Sequence, residues 1–193
     1  VEETASYNRR IQRKFLERHR PDGEEWERIP RLEGIVFDVE PYTLNQWDED
    51  PDRVMRNFVS GMKKACALAR SHGLEVIVCI PWFYDKKGQS EGLEELIRDG
   101  CDRVAVMNYY RGAEIGNIAT EVELSCKYGK ELINIYELKK ADGSSVEEIN
   151  TYHNSGLAAL RKNYAGVKAA YPGGNLSIAY HDYRSLKEVL HIE

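Results

Sequence analysis

Residues 33–42 read EGIVFDVEPY: a glycine and three apolar residues, then Asp38 and Glu40 with Pro41 directly behind them. A short run of Ile35, Val36 and Phe37 is too brief for a helix and suits a strand buried on both faces. Pro41 cannot donate to a ladder and ends it. Side chains alternate along a strand, so Val36, Asp38 and Glu40 share one face while Ile35, Phe37 and Val39 share the other. Just downstream, Asp50 and Pro51 form a helix start, and Val54, Phe58, Met62, Ala65 and Ala69 recur at helical spacing as far as His72 and Gly73. Strand followed by helix is thus one unit.

The unit recurs. "LEVIVCIPWFY" (74–84) precedes a short helix around Leu93, Leu96 and Ile97, and "RVAVMNYY" (103–110) precedes a helix through Ile118 and Val122 to Gly129. "ELINIYEL" (131–138) precedes a helix through Ile149, Leu157 and Leu160 with Ser145 and Glu148 as its capping box. "LSIAYHDY" (176–183) precedes a last helix capped by Ser185 and Glu188. Near-continuous apolar strands alternating with helices predict an α/β fold with a parallel sheet. A helix over 7–19, with Tyr7, Ile11 and Phe15 on one face, and a polar loop, "HRPDGEEWERIP", precede the first strand. The chain reads as one domain, 1–193: helix and loop over 1–32, then five β/α units over 33–193.

The strand ends choose between an open doubly wound sheet and a barrel. In order they offer Asp38, Glu40 and Tyr42; Trp82, Tyr84 and Asp85; Asn108, Tyr109 and Tyr110; Tyr136 and Glu137; and Tyr180, His181 and Asp182. Functional groups at every carboxyl-terminal strand end are how a barrel builds its mouth, whereas a doubly wound sheet concentrates its site at one switch point. Neither GxGxxG nor a Walker sequence occurs. A complete barrel takes about 250 residues. The expectation is therefore a partial (β/α)8 TIM barrel, strands four to eight, with the first three β/α units absent and acting as a partner that completes it.

Composition narrows the function. Twenty-seven basic against 32 acidic residues give a net charge of -5 with no basic stripe, which speaks against nucleic acid and for a neutral or mildly polar ligand. No apolar run is long enough to span a bilayer, and "VEETASYNRR" lacks the pattern of a signal peptide. Cys66, Cys79, Cys101 and Cys126 are widely spaced without a CxxC pair or His cluster, so they read as core thiols; no metal and no cofactor are expected.

Two inward acids at one strand tip split into a proton donor and a charged partner, which is the equipment of glycosidic bond cleavage. "EGIVFDVE" resembles the strand-four signature DGxDxDxE of the chitinase-like family-18 glycoside hydrolases, and "VMNYY" resembles their strand-six Met-x-Tyr. The resemblance implies Glu40 as general acid and Asp38 as the group orienting a substrate acetamido, with Met107 and Tyr109 lining the same subsite. Glu33 stands for the first acid, Val36 for the middle Asp, and Tyr110 where that family commonly has Asp.

A second resemblance is to retaining barrel glycosidases with Asn-Glu-Pro at strand four. It implies Glu40 in "VEP" as acid/base and Glu137, ending "INIYE", as nucleophile, with carboxyl groups about 5–5.5 Å apart. "GIVFDVEPY", "VMNYYRG" and "AYHDY" also resemble uncharacterised glycosidase-like barrel proteins, and these likenesses favour an extracellular or cell-envelope location. Trp82 is the leading sugar platform, with Tyr42, Trp47, Tyr110 and Tyr180 behind it and Asp182 as a further substrate-binding group. His181 and Asp182 face opposite ways and form no dyad, and Arg111 is expected to pair with an inward acid. The expected function is cleavage of a glycosidic bond in a polysaccharide or glycan, the alternative a non-catalytic carbohydrate-binding or scaffold protein on the same barrel.

Overall fold

The computed structural model describes residues 1–18 and 31–191. Five strands, β1 (Gly34–Phe37), β2 (Glu75–Pro81), β3 (Arg103–Met107), β4 (Glu131–Glu137) and β5 (Leu176–His181), form one sheet in the order β1-β2-β3-β4-β5, every pair parallel. Between and around them run α1 (Glu2–Arg18), α2 (Asn45–Glu49), α3 (Pro51–Ser71), α4 (Ser90–Asp99), α5 (Glu114–Asn117), α6 (Ala119–Tyr128), α7 (Gly156–Ala170) and α8 (Tyr183–Leu190). The α/β class holds and all five strands lie within the expected runs, but β1 stops at Phe37, so Asp38 and Glu40 stand in the turn beyond the strand and not at its tip. The polar loop and His19 lie outside the described residues.

Chain order equals sheet order, without the reversal that defines a doubly wound sheet. Crossovers of one hand, stepping always the same way, put their helices on one face. That face is the core: Val76, Val78, Ile80, Val104, Val106 and Leu132 pack against Met55, Met62, Cys66, Leu93, Leu96, Ile97 and Ile118. On the other face Cys79, Ala105 and Ile135 are buried among half-covered Ile77, Met107, Tyr109, Ile133 and Ala179. Val36 on that same face is 60% exposed.

Local chemistry fixes the geometry. Asp50 accepts the Arg53 N–H at 2.9 Å ahead of Pro51, starting α3 as the sequence indicates. Gly34 must stay small, because a Cβ there would lie 2.6 Å from the Glu75 carbonyl oxygen. Asp102 ties α3 to the sheet by accepting from the Val76 N–H at 2.8 Å and from Arg70 Nη2 at 2.6 Å.

Four readings are corrected. Ser145 and Glu148 do not cap a helix: Asp142 collects the N–H groups of Ser144, Ser145 and Val146, leaving Ile149 40% exposed, and α7 begins only at Gly156, whose φ is +74°. The last helix is capped by Asp182 rather than Ser185, because β5 already stops at His181 and the Asp182 carboxylate takes the Ser185 N–H at 2.9 Å. The first helix begins at Glu2 and not at Tyr7; Tyr7 is exposed, Ile11 and Phe15 are half-buried, Ala5 enters the core, and Asn8 clamps the Leu32 N–H and C=O at 2.8 Å each. Cys126 is exposed, whereas Cys66, Cys79 and Cys101 are buried thiols.

Candidate functional site

The carboxyl ends of the strands and the turns after them carry the site. Past β1, Asp38 is exposed and Glu40 half-buried. The Glu40 carbonyl accepts the Thr43 N–H at 3.1 Å and its hydroxyl at 2.7 Å, closing the turn that Pro41 begins. Through that turn Tyr42 comes back to donate its hydroxyl to Glu40 Oε1. Burial, reinforced by that carboxylate, holds the Tyr42 hydroxyl well above its usual range, so it stays a donor. A cleft of about 490 Å³ opens beside Glu40, lined by Val39, Pro41, Leu44, Val54 and Phe58 with Arg53 and Asn57 at its polar side.

After β2 the chain places a row of rings. Tyr42 meets Phe83 edge-on at 5.2 Å, Phe83 meets Trp82 at 5.9 Å, and Trp82 meets Tyr110 at 6.4 Å. Trp82 is half-buried, with Lys86 Nζ 5.5 Å from its ring centroid, and Tyr110 is 46% exposed. Trp47 packs on the fully buried Tyr84 at 5.8 Å and belongs to the core side of this row.

The turn after β3 is fastened from beneath. Asn108, buried on the helix side, donates to Asn134 Oδ1 and the Glu114 carbonyl at 2.9 Å each and accepts from Asn117 at 3.0 Å. Asn150 donates to the Tyr109 carbonyl at 2.7 Å. Met107 and Tyr109 are thereby held on the uncovered face. Burial raises the Tyr109 hydroxyl far above its ordinary value, and Glu137, Cys79, Asp38 and Glu40 all add to the effect. Burial likewise pushes the Cys79 thiol up to about 11, with Asp38 and then Glu40 contributing. The Tyr109 hydroxyl thus feels acids from the turn after β1 and from the tip of β4, and the Cys79 thiol feels the first pair.

Glu137, at the tip of β4, is 5% exposed. Its Oε1 accepts the N–H groups of Leu138 at 2.9 Å and Lys139 at 2.8 Å, and its Oε2 lies 3.0 Å from His181 Nδ1. The His181 ring stacks on Tyr109, centroids 5.9 Å apart and planes at 29°. Sequence reasoning missed this pair. The signal available was that Glu137 and His181 are the last residues of successive strands; the register makes them direct partners.

The structure therefore brings Met107, Tyr109 and Glu137 to one face, with Asp38 and Glu40 in the turn after β1 near enough to bear on the Tyr109 hydroxyl and Tyr42, Trp82 and Tyr110 in the neighbouring turns. Tyr180 lies on the opposite face, packed in the cluster of Tyr136, Leu138, Tyr152 and Leu160 under α8. Asp182 caps α8, and the Ser185 N–H holds its carboxyl below the usual range. Among the described residues Arg111 pairs with no inward acid; its guanidinium sits 4.7 Å over the Tyr152 ring and donates to the Thr151 carbonyl at 3.2 Å. Among the described residues no three His, Cys, Asp or Glu side chains converge to hold a metal ion, and no helix is long and apolar enough to cross a membrane. Comparison with protein-family models, with curated proteins and with solved structures finds no match to the chain.

Proposed function

We propose that the protein is glycoside hydrolase-like: that β1–β5 are strands four to eight of a (β/α)8 barrel, and that their carboxyl ends cleave a glycosidic bond in a polysaccharide or glycan. Sequential strand order with helices on one face is the barrel's topology. The opposite face is apolar yet incompletely covered, with Val36 60% exposed, and a barrel fills that space with side chains from its other strands. Three further β/α units would close the β1 and β5 edges, which are unpaired among the described residues.

The observation that carries the reading is the grouping around Tyr109 of Glu137 from the tip of β4, bonded to the His181 ring that stacks on Tyr109, with Asp38 and Glu40 from the turn after β1 bearing on the same hydroxyl. Glu40 protonates the leaving oxygen, aimed by the Tyr42 hydroxyl, and Asp38 stabilises charge developing on the sugar. Met107 and Tyr109 floor the sugar subsite, while Trp82 and Tyr110 offer ring faces beside it. Glu40→Gln keeps the shape and removes the proton. Turnover of a cleaved glycan should drop at least about 100-fold with binding retained, and unchanged turnover refutes the assignment. Val36, standing on the acidic face where the family-18 pattern has Asp, favours the second reading, a carbohydrate-binding protein without turnover. Binding of glycans that the parent never cleaves would select it.

A further inference from the structure

We propose that His181 is the base that takes the proton from the attacking water, with Glu137 as its positioning residue; the assignment rests on the glycosidase reading of the same mouth. Glu137 is buried and both its oxygens are engaged, Oε1 by two backbone N–H groups and Oε2 by the imidazole. A carboxylate so occupied accepts and does not attack, and its partner must bring a hydrogen. The ring proton therefore sits on Nδ1, which leaves Nε2 as an acceptor. No protein group among the described residues bonds Nε2, and the His181 side chain is 41% exposed. Stacking on Tyr109 fixes the ring plane on the uncovered face of the sheet. A buried carboxylate that sets both tautomer and orientation of an imidazole is the arrangement that makes a general base.

Position supplies the second argument. Strands four and eight of a closed eight-stranded barrel stand half a turn apart, so Glu40 and His181 approach a bound sugar from opposite sides. The step balances with these groups alone. Water oxygen bonds to the anomeric carbon while one of its protons passes to His181 Nε2. The glycosidic carbon–oxygen bond breaks, its electron pair stays on the leaving oxygen, and that oxygen takes the Glu40 proton. The imidazolium then releases its proton to solvent and the Glu40 carboxylate takes one up, restoring the start. This is a single displacement with inversion, and it gives Glu137 no covalent role.

The test uses the full chain and a probe panel of chitooligosaccharides and 4-nitrophenyl glycosides. For a probe that the parent cleaves, His181→Ala should lower kcat at least about 100-fold while KM moves less than about threefold. Azide needs no deprotonation, so it should restore 4-nitrophenyl release in that variant and yield a glycosyl azide of inverted configuration. Parent-like kcat in a folded His181→Ala, or a first product of retained configuration from the parent, overturns the proposal and leaves Glu40 as acid untouched. Conversely, parent-like turnover of chitooligosaccharides by Glu40→Gln alongside a dead His181→Ala overturns the acid assignment alone. No turnover of any probe by the parent overturns both. Nitrogen-15 spectra give an activity-free check: a His181 proton on Nε2 in place of Nδ1 overturns the pairing.

Discussion

Replacing Glu121 should stabilise the protein, and by an amount that grows with pH. Glu121 is fully buried on α6, and neither carboxyl oxygen has a hydrogen-bond partner among the described residues. Lys86, the cation that acts on it, is already committed to Asp85 at 3.1 Å and to the Asn117 carbonyl at 3.0 Å. Burial, aided by Asp85, lifts the Glu121 carboxyl from 4.5 to about 8. The folded state thus holds a proton that the unfolded state releases. The associated stability is complete below about pH 4.5, falls by about 1.4 kcal/mol per pH unit above it, and is gone once pH passes about 8. The deficit is about 3 kcal/mol at pH 7 and roughly 5 kcal/mol above pH 8, on the order of 10 °C in Tm for a chain this long. Glu121→Gln and Glu121→Leu cannot ionise, so each escapes that deficit. A buried amide without partners costs Gln about 1–3 kcal/mol, but that offset is the same at every pH. Urea unfolding from pH 5 to pH 9 separates the two effects: the stability gap between variant and parent should widen steadily to pH 8 and then level. A gap that is flat across that range refutes the reasoning.

Two further outcomes follow from packing and capping. A Cβ on Gly92 of α4 would lie 2.5 Å from Met55 Cγ on α3, so Gly92→Ala should cost about 1–3 kcal/mol in thermal unfolding. Combined with Met55→Ala that cost should shrink by about 1 kcal/mol or more; strict additivity would refute the contact. Asp182→Ala should cost about 1 kcal/mol through loss of the α8 cap. Because the folded carboxyl lies below its usual range, that contribution is present above the ordinary aspartate value and fades as pH falls through the folded one, so parent and variant should converge in acid.

Much of the architecture was legible because its signals are local. Asp50 with Pro51 marks one helix start, and the apolar runs of β2 and β4 are too continuous for anything but strands covered along most of both faces. Parity puts Val36 on the face that also carries Met107 and Tyr109, but β1 ends at Phe37, so Asp38 and Glu40 are placed by the turn that follows and not by strand alternation. The two misread caps share a physical origin: an aspartate three residues before the serine takes the serine's own N–H and sets the local turn. Ser145 looked like a cap, yet Asp142 lies three residues upstream and its carboxylate is the stronger acceptor for the turn. Ser185 looked like a cap until β5 ended one residue before Asp182. The Glu137–His181 pair lies beyond local reading, since 44 residues separate its members and only the β4–β5 register brings them together. Arg111 shows the same limit: its partners are an aromatic face and a carbonyl of the segment after β4, which charge pairing could not reveal.

The agreement between chain order and sheet order also bears on how the molecule comes into being. Every strand after β1 pairs with one already made, so during synthesis no strand need wait for a partner not yet translated. Each new strand and helix can add to an edge already formed, and each inner edge stays bare only until the next unit emerges. Ordering of this kind keeps loop closures short and the growing sheet in a single register.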